Sequence, residues 1–280
     1  MIKIGDYNKL RVVKEVDFGI YLDGGTDGEI LMPTKYVPDG TKPDDEIDVF
    51  IYSDSEDRLI ATTETPYAKV NEFAFLKVKA VNKFGAFLDW GILKDLLVPF
   101  REQKTDMIEG YSYIVYIYLD EKTNRLAASA KINKFLNSEM PTYKINDEVS
   151  ILIESKTDIG FKAIIENEYA GLLYENEVFK NIKKGDLLKA YIKKIRDDGK
   201  IDLVLQKSGY EQIDGISEII LQTLKKNKGF IAANDKSSPE MIKSLFNISK
   251  KSFKKAIGSL YKQRLIDFKD DGIILTNILS

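Results

Sequence analysis

The sequence predicts a mainly β chain with an α+β C-terminal domain, and three observations predict it. A glycine-centred motif recurs three times at one spacing. Apolar and polar residues alternate within the copies, as half-buried strands require. Beyond Gly209 the apolar period lengthens from two to about 3.6, the mark of helices.

The motif is Phe18-Gly19-Ile20-Tyr21-Leu22, then Phe84-Gly85-Ala86-Phe87-Leu88, and more loosely Ile159-Gly160-Phe161-Lys162-Ala163. Twelve or thirteen residues past each glycine lie the apolar segments Ile30-Leu31-Met32-Pro33, Leu96-Leu97-Val98-Pro99 and Leu172-Leu173-Tyr174. A basic and then an apolar residue open a last strand at Arg58-Leu59, Arg125-Leu126 and Lys200-Ile201, which are 39, 40 and 40 residues from their glycines. Three anchors held in register three times mark three copies of one supersecondary unit.

In the second copy Leu76, Val78 and Ala80 alternate with Lys77, Lys79 and Val81. Gly85 falls where a strand bends or another backbone passes close by. Tyr113 to Tyr118 is rich in β-branched and aromatic residues, and Asp120 to Asn124 supplies a turn before Leu126 to Ala130. Five short strands in about seventy residues fit a small Greek-key barrel of the OB type, which binds oligonucleotides on one sheet face. The predicted divisions are 1–66, 67–140 and 141–209 for the barrels and 210–280 for the last domain.

In that last domain Ile213, Ile216, Ile220 and Leu224 form one helical face, closed by Lys225-Lys226-Asn227-Lys228-Gly229. Ser237-Ser238-Pro239-Glu240 begins a second helix carrying Ile242, Leu245 and Phe246. Ser249 caps a third, running from Lys250 to about Arg264. Asp270-Asp271-Gly272 turns a hairpin between Leu265 to Phe268 and Ile273 to Leu275. Helix, helix-turn-helix and terminal hairpin are the order of a winged helix.

Lys83-Phe84-Gly85-Ala86-Phe87-Leu88 followed by Asp95-Leu96-Leu97-Val98-Pro99 resembles the RNA-binding domain named after ribosomal protein S-one. Ile195 to Leu203 resembles the closing hairpin of the same domain. Three such copies and a helical tail resemble the bacterial conserved virulence factor B family across essentially the whole chain. The resemblance implies three tandem OB-fold barrels of the S-one type, a C-terminal winged helix and RNA binding. It also implies that Phe84 and Phe87, and with them Phe18 and Tyr21, lie on an open sheet face and stack on unpaired bases. Stacking needs no sequence match, because every base has a π-face. An aromatic on a strand otherwise belongs to the core. Lys77, Lys79 and Lys83 supply nearby positive charge.

The third copy departs from this pattern, with Ile159 and Lys162 at the aromatic positions and Phe161 one place off. Tyr174 stands where many S-one domains carry histidine. Lys183-Lys184, Lys193-Lys194 and Arg196 make this copy locally basic. On the third helix of the last domain Phe253, Ile257 and Leu260 share one face, and Lys251, Lys255 and Lys262 lie opposite. That stripe suits phosphates or a groove, although a solvated charged face has the same pattern.

Composition narrows the chemistry. The 280 residues include no histidine and no cysteine. Thiolate nucleophiles, histidine-based triads, disulfides and zinc sites built on these residues are excluded. There is no phosphate-binding glycine loop and no clear carboxylate constellation, so neither an enzyme nor a cofactor nor a metal site is expected. With no apolar run at the N-terminus or long enough for a membrane span, a cytoplasmic location is expected. The net charge of −2 is unevenly spread: −8 in 1–66, +2 in 67–140, zero in 141–210 and +4 in 211–280. The acidic first copy is thus the poorest phosphate binder and is expected to contact a protein or the other copies. The expected function is single-stranded RNA binding in post-transcriptional control. The alternative is a DNA-binding transcription regulator that reads with its winged helix and uses the barrels as partner modules.

Overall fold

The structure, a computed structural model, describes residues 1–178, 180–206 and 210–276, with side chains for all of these except 210–214. Ile213 and the boundary at 209 therefore lie outside what is described. The first copy comprises β1 (Tyr7–Val16), β2 (Gly19–Asp23), β3 (Glu29–Pro33), β4 (Glu46–Ser53) and β5 (Leu59–Thr62). The second has β6 (Phe73–Asn82), β7 (Gly85–Asp89), β8 (Leu96–Pro99), β9 (Ser112–Asp120) and β10 (Arg125–Ser129). The third has β11 (Glu148–Thr157), β12 (Gly160–Ile165), β13 (Tyr169–Tyr174), β14 (Leu187–Ile195) and β15 (Ile201–Val204). The first and third close into barrels, in the orders β1-β2-β3-β5-β4 and β11-β12-β13-β15-β14.

The middle copy corrects the expectation of three barrels. Its five strands form an open sheet, β10-β9-β6-β7-β8, with no ladder joining β8 to β10. That parallel seam is the weakest join of the design. It amounts to one register pair in the first copy, Leu31 with Ile60, and three in the third. In the second copy β8 and β10 lie side by side without that ladder and line a cleft of about 380 Å³.

The motif glycines have a steric cause. Gly19, Gly85 and Gly160 adopt φ of 153°, 147° and 150°. A Cβ would stand 2.1, 2.2 and 2.0 Å from the carbonyl oxygens of Met32, Val98 and Leu173. Only glycine lets the two strands approach so closely. A β-bulge interrupts β1 between Val12 and Lys14 and β6 between Val78 and Ala80. Leu76 and Val78 are buried as the alternation predicts, but Ala80 and Val81 beyond the bulge are both exposed, so the alternation ends there.

The chain divides into two compact units. Residues 1–138, with 164–169 and 184–186, form one, and the remainder forms the other. Within the first unit, copies one and two share a core. Phe50, Tyr52 and Ile60 join Trp90, Leu96 and Val115 in one cluster, and the rings of Phe50 and Trp90 meet edge to face at 5.7 Å.

In the second unit follow α1 (Tyr210–Lys226), β16 (Phe230–Ile231), α2 (Pro239–Phe246), α3 (Lys250–Lys262), β17 (Ile266–Lys269) and β18 (Gly272–Leu275). Ile216, Ile220, Leu224, Ile242, Phe246, Phe253, Ile257 and Leu260 build its core. Ser238 caps α2 by accepting from Met241 N–H, and Pro239 fills the first helical position. Ser249 caps α3 in the same manner. The third helix ends two residues sooner than expected, since Arg264 turns to a φ of 58°. Leu245, placed with the apolar residues of α2, is exposed. The strand β16 completes a three-stranded sheet with the terminal hairpin.

Candidate nucleic-acid interface

The residue before each motif glycine sits at the tip of a hairpin, where neither strand covers it. Phe18, Phe84 and Ile159 are accordingly 57%, 61% and 59% exposed. Burying a ring stabilises a fold in proportion to the area hidden, so an aromatic left this open contributes little to its core. Tyr21 and Phe87, three residues on, are half-buried on the sheet face. Phe161 is buried and Lys162 exposed, so the third copy presents no ring at either position.

Charge around these rings differs between copies. In the first, Lys14 lies 4.8 Å above the Tyr21 ring but also pairs with Glu29 at 2.6 Å. Arg58 is held by Asp54, and Arg11 by Asp23 and Asp44. In the second copy Lys83 stands 5.1 Å over Phe84, and Lys77 is exposed with no ion pair among the described residues. Lys79 pairs with Asp95 at 2.7 Å, and that hydrogen bond raises the pKa of its ammonium.

Phe84 and Phe87 both line the cleft beside β8 and β10, which Lys77 and Lys79 do not reach. Its other walls include Trp90, Leu96, Leu97 and Leu126, together with Lys94, Arg101 and Arg125. Residues of the first copy, Tyr52, Ser53, Ser55 and Asp57, complete the rim. Lys94 donates to the carbonyls of Ser53 (2.7 Å) and Asp54 (2.5 Å), and its burial lowers the ammonium pKa. Arg101 reaches Asp120 at 3.4 Å. Arg125 engages Asp57 through two parallel hydrogen bonds. Sequence reasoning overlooked these three cations as site residues. The signal for Arg125 was present, because it is one of the three basic anchors of the repeat.

The third copy brings together Tyr174, Lys193 and Arg196. Arg196 donates to the Tyr174 hydroxyl and to both oxygens of the buried Asp202, at 2.7 and 3.3 Å. Lys193 lies 5.8 Å from the Tyr174 ring and pairs with Glu177. The expected donors of this copy are thus engaged with one another, and Lys194 alone of the set is exposed. On α3 Lys251, Lys255 and Lys262 are exposed and without ion pairs among the described residues, opposite the buried Phe253, Ile257 and Leu260. Among the described residues no group of three carboxylates is placed to hold a metal ion. No helix among them is long and apolar enough to cross a membrane.

Comparison with known proteins places this architecture. Residues 4–64 and 72–131 match the S1 domain, and residues 218–275 match the CvfB-like winged helix domain. Proteins named conserved virulence factor B from Staphylococcus aureus strains N315 and USA300 are 29% identical, across 98% of this chain and 94% of theirs. The chain is similar to the conserved virulence factor B proteins along nearly its whole length. A multidomain protein with nucleic acid binding domains from Streptococcus pneumoniae has a solved structure that is 23% identical. The alignment covers 97% of this chain and 98% of that one, with a TM-score of 0.42. The chain thus carries S1 nucleic-acid-binding domains and a winged helix. The S1 matches fall on the first two copies, those that keep aromatics at both motif positions.

Proposed function

We propose that this protein is a non-catalytic RNA-binding protein that holds single strands through its S1 copies and acts in post-transcriptional control. The observation that carries this is the cleft of the second copy, where an exposed ring and a half-exposed ring stand beside Arg101 and Arg125. Rings on an open face need bases that are splayed out, and a duplex keeps its bases stacked. The guanidiniums give such a strand its phosphate contacts. Phe18 and Tyr21 form a weaker second platform, since their copy carries a net charge of −8, whereas Lys77 and Lys83 beside the second platform make no ion pair among the described residues. The exposed lysines of α3 add sequence-independent attraction for the backbone. Four domains, divided near 66, 140 and 209, form the working units of this scheme.

One observation favours a second reading, a DNA-binding regulator. The unpaired lysines sit on α3, the helix that a winged helix lays in a major groove. Competition between single-stranded RNA and duplex DNA at matched salt decides between the two. Tighter binding of RNA, weakening steeply as salt rises, is the expected result. Equal or better affinity for the duplex refutes the RNA reading and promotes the regulator.

A further inference from the structure

The hairpin turn that joins the last two strands of each copy has a residue with positive φ just before its basic anchor. These residues are Asp57 (64°), Asn124 (54°) and Gly199 (77°). Asparagine and glycine are the ordinary occupants of such a position. The turn therefore does not require the carboxylate of Asp57. Nor does the turn use it: Asp54 accepts from the N–H groups of Glu56 and Arg58 and from Arg58 Nε. The Asp57 carboxylate leaves its own copy and takes the Nε and Nη2 donors of Arg125 on the rim of the second copy's cleft. Two carboxylate oxygens on a guanidinium fork occupy the positions that two oxygens of a phosphate would take.

We infer that Asp57 is a built-in competitor for nucleic-acid phosphate, through which the acidic first copy limits how tightly the second copy's cleft holds a single strand. This rests on the RNA-binding reading. A strand whose base stacks on Phe84 or Phe87 gains the paired Nε and Nη2 donors of Arg125 for its phosphate only by displacing Asp57. The pair is solvent-accessible, with side chains 56% and 48% exposed, so the exchange opens no core.

The test is a titration of a fluorescently labelled oligouridylate across a salt series with wild type, Asp57→Asn, Arg125→Gln and the double variant, each checked for folding by thermal melting. Asparagine keeps the left-handed turn and is the residue the second copy itself uses there. Exposed ion pairs are weak, so Asp57→Asn should bind about two- to fivefold tighter. Its salt slope should steepen by about 0.7, one additional phosphate contact. In the Arg125→Gln background the same change should give neither effect. Unchanged or weaker binding by a folded Asp57→Asn protein overturns the inference and makes the pair a latch between copies. An equal gain without Arg125 overturns it as well, reducing Asp57 to general repulsion. Failure of the wild type to bind removes the RNA reading itself, and is distinguishable from both.

Discussion

Truncating Phe84 separates a binding ring from a packing ring. The side chain is 61% exposed, so about two-fifths of it is hidden. A fully buried phenylalanine costs about 3–5 kcal/mol on truncation to alanine, much of it from the cavity left behind. Scaled to the buried part, Phe84→Ala costs at most about 1–2 kcal/mol, and less because no closed cavity forms. In a domain of this size about 1 kcal/mol shifts the melting temperature by a few degrees. Stacking on one base is worth about 1–3 kcal/mol, equivalent to roughly 5- to 150-fold in affinity. Leu88→Ala provides the contrast four residues along, at a side chain fully buried, where about 2–5 kcal/mol of stability should be lost. Fluorescence anisotropy with single-stranded RNA and thermal melting read the two effects separately. Phe84→Ala should lose affinity and keep most of its stability. If it binds as wild type does, or melts as low as Leu88→Ala, the ring is a core ring and the proposed platform is wrong.

Phe87→Ala should follow the same pattern with a larger stability loss, since that ring is half-buried; anisotropy and melting again separate the terms. Replacing Lys251, Lys255 and Lys262 together by Gln should make the slope of log K against log salt shallower by about 2, or about 0.7 per lysine on a single strand; an unaltered slope means a solvated face. Gly85→Ala forces a methyl group against the Val98 carbonyl at a positive φ and should cost more than about 1 kcal/mol in urea unfolding; a variant as stable as wild type would show that β7 and β8 separate freely. The hydrogen bond from Arg125 holds the Asp57 carboxyl below its ordinary pKa of 3.8. A depressed carboxylate stabilises the fold above its unfolded pKa, and the contribution is lost as pH falls through the folded one. Asp57→Asn should therefore lower stability slightly at neutral pH and flatten the acid limb, so that the two curves meet below about pH 4; an unchanged acid limb contradicts the pairing.

The parts of this fold legible in the sequence are those dictated by local chemistry. The motif glycines marked the close strand approach within each of the three copies, because no other residue fits a carbonyl oxygen at that distance. Ser238-Pro239 and Ser249 marked two helix starts, since capping chemistry is confined to a few residue types. The open middle sheet left no such trace: closure turns on a handful of hydrogen bonds between strands distant in sequence. The bulge in β6 was equally silent, as its residues Val78, Lys79 and Ala80 fit an ordinary strand pattern. At the candidate site Phe84 and Phe87 were legible through the motif, whereas the partners of Arg125, Lys79 and Arg196 were not. Which carboxylate a cation meets depends on packing between elements that sequence spacing does not encode.

Trp90 is the only tryptophan of the chain. It is 2% exposed, its indole N–H donates to the Lys94 carbonyl at 2.5 Å, and its ring rests on Phe50 of the preceding copy. The tryptophan fluorescence of the chain thus reports on the junction between two repeats. A fragment lacking residues 1–66 would bare one side of that indole to water, and its emission would shift to the red even with its own strands intact. Dissection into single repeats, the usual route for assigning tasks in tandem arrays, would expose apolar surface at this cut and confuse stickiness with affinity. The first two repeats share a motif but are no longer interchangeable parts, and the smallest piece suited to binding measurements in this half of the molecule contains both.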